Sequence, residues 1–344
     1  MVQFTLVSTV FNEAERLDQT IADLNTQTLQ PSEIIITDAG STDGTYERLI
    51  RWKEESKVSI TILQKNRCNV AEGRNMAIRA AKYDVIASTD FGCRFHPDWL
   101  KTMIAPFKNP YVDVVSGAYI VKEEDQATLA AKAAFILSNG YVPDVYADWF
   151  IPSSRSIAYK KSVFETVGGY CEWLTLAADD YIFGKEILAK GYTFHPVDKP
   201  YVYWIRHTKG TGYIKEAFRY GLGDGEARVN QRNFLSNLIE ASVRYLLFAC
   251  VVTTLLLVAA GIVTATILLL NLLFLLGLRS YFHYLRNWLK YRSHKYDFKV
   301  LLYGFILLEC TRFSYLKGYF RGLLYATPNQ KKQAIVLKKR LGFA

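Results

Sequence analysis

Three side chains able to bind a ligand stand just past short apolar runs: Asn12 after FTLVSTV, Asp38 at the end of EIIITD and Asp90 at the end of DVIASTD. A strand that ends on such a residue puts it where open α/β sheets bind their ligands, at the carboxyl edge. Two carboxylates in the pattern D-x-D would make a divalent-cation site, but Gly92 stands two residues after Asp90. One acid is therefore offered where two would be expected. Asp90 has a competing role as cap of the helix in HPDWLKTMI, for which Pro97 and Asp98 are already suitable. A second acidic pair, Asp179-Asp180, follows the turn Gly168-Gly169-Tyr170 and opens a helical pattern. Adjacent carboxylates in a first helical turn are stabilised as anions by free N–H groups and the dipole, and either also serves as an ordinary N-cap. In TDAGSTDGT, Thr37 to Thr45, Gly40 and Gly44 permit a tight turn, and Ser41, Thr42 and Asp43 can cap the next helix. Asp38 there either accepts hydrogen bonds from a nucleotide base or ribose or belongs to an ordinary strand-to-helix connection.

The elements that must position these groups are short runs rich in Val, Ile and Thr, alternating with helical patterns such as EAERLDQTIADLNTQ and EGRNMAIRAAK. That alternation predicts βαβ units and a doubly wound, mostly parallel sheet with both faces covered. G-x-G-x-x-G after the first strand and G-x-x-x-x-G-K-[ST] are both missing, which removes support for a dinucleotide fold and for a P-loop. From 112 the pattern loosens into a strand, VDVVSGAYIV, a helix through QATLAAKAAFILSN, and an aromatic loop, YVPDVYADWFIPSS. No repeat or low-complexity linker intervenes, so residues 1–230 read as one fold, with 112–230 covering a ligand held by 1–111.

VSTVFNEAERL, IITDAGSTDGT, NRCNVAEGRNMAIRAA and IASTDFG follow the order and spacing of family 2 glycosyltransferases with the GT-A fold. The resemblance covers roughly residues 1 to 230, and its strength lies in four motifs in register, each weak alone. It implies that Thr9, Phe11, Asn12 and Glu13 line the base and ribose, and that Asp38 binds the base. Arg74, with Gly73 in the GRN motif, would face the ribose or diphosphate. Asp90 would occupy the first position of the D-x-D and hold Mg²⁺ or Mn²⁺ with help from phosphate oxygens. Asp180 would be the general base toward an acceptor hydroxyl, with Asp179 in support, in an inverting single displacement. His207 would complete the metal shell, and Arg219-Tyr220 resembles a remnant of the R-W element that closes on the diphosphate in processive members. The full Q-x-x-R-W is missing, which argues against a processive synthase.

The net charge of +10 is compatible with nucleic acid, anionic lipid or anionic substrates. Much of it flanks an apolar segment and fills the end NQKKQAIVLKKRLGFA, which favours anionic lipid over nucleic acid. Cys68, Cys93, Cys171, Cys250 and Cys310 form no C-x-x-C pair and predict free thiols. Tyr245 to Leu278 carries no charge and as one helix would measure roughly 50 Å, against a hydrocarbon core of ~30 Å. With arginines and lysines on both flanks, Arg244 and the Arg286 to Arg292 cluster among them, it predicts a transmembrane hairpin turning near Gly261 with both ends cytosolic. Residues 298–325 predict an interfacial helix, with a third span as the alternative, and residues 231–344 form the membrane region with a basic tail. The N-terminus shows no secretory pattern, so the catalytic part is expected on the cytoplasmic face of the cell membrane.

These readings converge on a membrane-anchored, metal-dependent glycosyltransferase. Its donor would be a nucleotide-sugar, UDP-linked by preference, and its acceptor lipid-linked or a saccharide, in polysaccharide or glycolipid synthesis. The acceptor could also be a polyisoprenyl phosphate. A non-catalytic membrane scaffold that binds nucleotide-sugar is the alternative of another class.

Overall fold

The computed structural model of the chain describes residues 2–141, 143–262 and 264–342. Its strands are β1 (Phe4–Val10), β2 (Glu33–Asp38), β3 (Ser59–Gln64), β4 (Val85–Ser88), β5 (Cys93–Phe95), β6 (Val114–Ile120), β7 (Ile157–Lys160) and β8 (His195–Trp204). The helices of the first half are α1 (Ala14–Asn25), α2 (Thr45–Glu55), α3 (Val70–Ala80), α4 (Trp99–Ile104), α5 (Leu129–Leu137), α6 (Lys161–Val167) and α7 (Asp179–Ala189). Those that follow are α8 (Gly210–Ala227), α9 (Gln231–Ala259), α10 (Ala265–Gly277), α11 (Arg279–Tyr291), α12 (Phe298–Tyr325) and α13 (Pro328–Leu341).

The chain forms two units that interleave in sequence: 1–125 with 141–206 and 327–344, and 126–140 with 207–326. Contacts therefore divide it differently from a single boundary at 230.

All the strands lie in the first unit, in one sheet of order β3-β2-β1-β4-β7-β6-β8-β5. Strands β3, β2, β1 and β4 run parallel, as their helical crossovers require, while β7 pairs antiparallel with both β4 and β6 and β5 runs antiparallel to β8. The sheet is thus mixed: the mostly parallel expectation holds from β3 to β4, and beyond β4 only β6 and β8 pair in parallel. The short apolar runs are strands because both faces are covered: β2 is buried at every position. Alternate side chains enter different cores, with Leu6, Ile34 and Ile36 in one and Val7, Ile35 and Ile86 in the other. Register then sets the site. Thr9 lies beside Thr37, Val10 beside Asp38 and Val7 beside Ser88, so the turns leaving β1, β2 and β4 open at one edge. The α13 helix belongs to this unit, where Arg340 pairs with the buried Glu186 of α7 at 2.5 Å and Gln330 donates to the Trp173 carbonyl at 3.0 Å. That end of the chain, predicted as a lipid-facing basic tail, commits at least Arg340 to an internal carboxylate.

The second unit is helical. α8 and α12 meet through Gly221 and Gly225 on one helix and Gly318 and Gly322 on the other, where a Cβ would run into the facing backbone. α9 begins well before 245 and packs its first half against α12. Arg244, predicted as a basic flank of the apolar segment, is instead buried, with its guanidinium 2.7 Å from Glu309 and 3.4 Å from Glu240. A buried arginine needs such partners, and α12 supplies one. α9 ends at Ala259, Gly261 adopts φ +72°, α10 begins at Ala265, and Asn271 of α10 donates to Thr254 of α9 at 2.9 Å. Among the described helices only α9, with mean hydropathy 2.0, is by itself long and apolar enough to cross a membrane; α10 and α11 qualify only if taken together across an 82° bend.

Candidate active site

The turns at the sheet edge are tied to one another. Asn12, at φ +55°, donates its N–H to Ser41 Oγ and accepts from the Thr42 N–H through Oδ1, both at 2.9 Å. The Glu13 N–H donates to Thr45 Oγ1 at 2.9 Å and the Ala14 N–H to Asp43 Oδ2 at 3.0 Å. Ser41, Thr42 and Asp43, expected to cap α2, thus hold the β1–α1 turn, while α2 is entered through Gly44 at φ +94° without a side-chain cap. Asp38 is fully buried and accepts from the Gly40 and Ser41 N–H groups at 3.1 Å and from the Gln64 amide at 3.4 Å. It fixes the turn that a base would approach. Thr9 donates to the Thr37 carbonyl at 3.1 Å, and Gly73 lets α3 lie against Thr9 where any Cβ would collide. Phe11 stands 56% exposed, which leaves its ring available for stacking.

Below this edge runs a line of alternating charges. The Arg74 guanidinium, on α3, pairs with Asp90 Oδ1 at 2.5 Å through Nη2 and with Asp179 Oδ2 through Nη1. Its charge lies 5.4 Å from the centre of the Tyr170 ring, and the residue is only 4% exposed. The resemblance directs Arg74 to the ribose or diphosphate. The structure instead commits both of its terminal nitrogens to carboxylates, because a buried guanidinium needs compensation on each side. Neither predicted cap occurs: α4 begins after Asp98, and α7 after Ala178, which sits at φ +71°, with Asp179 and Asp180 inside its first turn.

Burial pushes the Asp179 carboxyl up to about 6, with Arg74 opposing and Asp180 and Asp90 adding repulsion. At Asp90 burial acts upward too, but Arg74 and Arg155 outweigh it and hold the carboxyl below its ordinary range. Arg74 itself would be lowered by burial, and its two aspartates keep it firmly protonated. Asp180, half-buried, accepts from Ser153 Oγ at 3.1 Å.

Sequence reasoning misses Arg155 and Ser153. Arg155 Nε lies 3.8 Å from Asp90 Oδ2, Nη1 donates to Ser153 Oγ at 2.9 Å, and the guanidinium sits 4.1 Å from the centre of the Trp204 ring. Ser153 thereby joins Arg155 to Asp180. The only hint was an arginine framed by small hydroxyls in SSRS, which reads like any surface loop.

Gly92, at φ +96°, sits where the second acid of a D-x-D would stand, and the Glu13 carboxylate fills that place. A Cβ on Gly92 would come 3.2 and 3.4 Å from the two Glu13 oxygens. Burial raises the Glu13 carboxyl to about 7, with Arg16 opposing and Asp90 adding to the rise. Among the described residues no cluster of three or more His, Cys, Asp or Glu is arranged to hold a metal ion. Two carboxylates beside a glycine cradle fit a Mg²⁺ or Mn²⁺ that draws its remaining ligands from phosphate and water. His207 and Arg219 belong to the helical unit. His207 Nε2 lies 3.9 Å from Glu216 there, and Arg219 is exposed on α8.

Residues 5–168 match the family model described as glycosyl transferase family 2. This segment, a little under half of the chain, is thus similar to glycosyl transferase family 2. The chain is also similar to the O-antigen chain rhamnosyltransferase WbaN of Salmonella anatum, 26% identical over 56% of this chain and 62% of that protein. The poly-beta-1,6-N-acetyl-D-glucosamine synthase of Staphylococcus aureus is 31% identical over 33% of this chain and 27% of its own length. The chain thus spans less than two thirds of these relatives. In fold it is similar to the mannosyltransferase PcManGT from Pyrobaculum calidifontis, solved with GDP-Man and Mn²⁺, at TM-score 0.55 and 17% identity over 94% of this chain and 88% of that one. Of the two acids joined by Arg74, Asp90 falls inside the matched segment; Asp179, Asp180 and the rest of α7 lie beyond it, as does Tyr170.

Proposed function

We propose that this chain is an inverting family 2 glycosyltransferase that moves a sugar from a nucleoside-diphosphate donor to a lipid-linked or saccharide acceptor, in polysaccharide or glycolipid synthesis. The observation that carries the reading is the Asp90–Arg74–Asp179 line. It ties a donor-side acid at the end of β4 to the helix that presents Asp180. In this assignment the Asn12 and Asp38 turns hold the nucleoside, with Phe11 beside the base. Asp90 faces the diphosphate, and a divalent cation bound there would stabilise the charge developing on the leaving group. Asp180, kept in orientation by Ser153, takes the acceptor proton. Asp179, engaged with Arg74, acts as its support. Arg74 is a positioning residue that keeps both acids in place.

The membrane assignment draws on the helical unit, where Leu246, Val252, Leu256, Ile262 and Phe274 on and around α9 and α10 are each more than half exposed. So much uncovered apolar surface on adjacent helices suits a bilayer. We assign α9 and α10 to a membrane hairpin with the first unit on the cytoplasmic side and α12 at the interface. The same surface favours an acceptor carried on a lipid, polyisoprenyl phosphate included. The relatives' names differ in the sugar, so the donor has to be found by trial, uridine diphosphate sugars first. The test is a screen of nucleotide-sugars for metal-dependent thermal stabilisation and hydrolysis. Stabilisation with turnover supports the transferase. Stabilisation with no turnover for any donor or acceptor supports a binding scaffold instead.

A further inference from the structure

We infer that Glu13 is the second carboxylate of the cation site, replacing the acid that the β4–β5 turn lacks. The assignment rests on the proposed nucleoside-diphosphate and cation reading. Gly92 takes φ +96°, a conformation that a residue with a Cβ adopts only under strain, so this turn is closed to an ordinary aspartate. The place beside it is not left apolar. Both Glu13 oxygens lie within 3.4 Å of the point where a Gly92 Cβ would be. The Glu13 backbone is pinned by its N–H bond to Thr45 Oγ1 at 2.9 Å, so the carboxylate is presented from a fixed turn. That carboxylate accepts no hydrogen bond and forms no ion pair with any described residue, although Glu13 is partly buried. Asp90, two residues before Gly92, gives its Oδ1 to Arg74 at 2.5 Å and leaves Oδ2 with Arg155 at 3.8 Å. The unpaired Glu13 carboxylate beside Gly92, with Asp90 two residues earlier in the same turn, offers two acids as a D-x-D does, with one of them brought from the β1–α1 turn.

The resemblance instead assigns Glu13 to the ribose, and the two roles separate by experiment. Mn²⁺ would be titrated by electron paramagnetic resonance into the wild-type chain, Glu13→Gln and Asp90→Asn, each with saturating UDP or GDP. Nucleotide affinity would be measured in parallel in EDTA, and melting temperature would confirm folding. The expected result is a rise of about tenfold or more in the Mn²⁺ dissociation constant for Glu13→Gln, with unchanged metal-free nucleotide affinity. Glu13→Asp, whose carboxylate is one methylene short of the glycine, should fall between the two. Wild-type Mn²⁺ affinity in Glu13→Gln alongside loss in Asp90→Asn would overturn the assignment and leave the cation site standing. A drop in metal-free nucleotide affinity with Mn²⁺ affinity intact would return Glu13 to the ribose. A wild-type chain that binds Mn²⁺ under no condition would remove the cation reading and this assignment together.

Discussion

Arg74 and Asp179 lie 105 positions apart and form a buried ion pair, in which the arginine on α3 grips the first residue of α7 while its other nitrogen holds Asp90. The pair welds the proposed nucleotide-binding half of the first unit to the helix carrying the proposed base.

Removing the cation should be worse than removing either anion. Arg74→Ala leaves Asp90 and Asp179 facing each other across an uncompensated gap, which should cost about 3–5 kcal/mol. The melting temperature should then fall by on the order of 10 °C. Adding Asp179→Asn to Arg74→Ala should recover part of that loss, since it removes one of the stranded charges. A double variant no more stable than Arg74→Ala would mean the two residues are not coupled.

Asp179 should impose a pH dependence on stability. Its folded carboxyl titrates near 6, above the ordinary value of 3.8, so the folded state binds the proton more tightly than the unfolded one. The stabilisation is complete below about pH 4 and is lost as pH rises through 6, by up to about 3 kcal/mol. Melting curves from pH 4 to 7.5 should show the wild type losing its advantage over Asp179→Asn across that window. Parallel curves for the two proteins would contradict it.

The two members of the acidic pair should differ in kinetics. Asp180→Asn should lower kcat toward a hydroxyl acceptor by about two to four powers of ten with little change in donor KM. Ser153→Ala, which frees the Asp180 carboxylate to swing, should cost several-fold. With a polyisoprenyl phosphate acceptor, already anionic, the Asp180→Asn loss should be far smaller. An active Asp180→Asn beside an inactive Asp179→Asn would exchange the two roles.

The α13 helix should stabilise α7 through the Arg340–Glu186 pair. Arg340→Ala leaves Glu186 buried and unpaired, at about 1–3 kcal/mol, whereas Arg340→Ala with Glu186→Gln should be milder. A double-mutant cycle on melting temperature with zero coupling would show the pair to be incidental.

On α9, Leu256→Arg places a cation on the exposed apolar face. If that face lies in hydrocarbon, the change costs about 2.5–3.5 kcal/mol of insertion, and less protein should be recovered in the washed membrane fraction. Unchanged recovery would place the face outside the bilayer. Cysteine labelling near Arg286 from the outer side would overturn the hairpin.

The sequence by itself determined what repeats along the chain. Short apolar runs alternating with helical patterns predicted β1 to β4 with α1 to α3, and the acids that end those runs predicted the ligand edge, because these features depend on neighbours within a few residues. The capping box that Asn69 and Glu72 close at the start of α3, a contact within three residues, is of the same local kind. What only the tertiary structure decided are pairings across long separations. Arg74 reads as a ligand-facing arginine until α7 brings Asp179 to it. Arg155 reads as a surface residue until β7 places it beside Asp90, and Arg244 reads as a membrane flank until α12 brings Glu309 to it. In each case a buried charge is defined by the partner that neutralises it. That partner is chosen by the packing of elements distant in sequence, which no local pattern encodes.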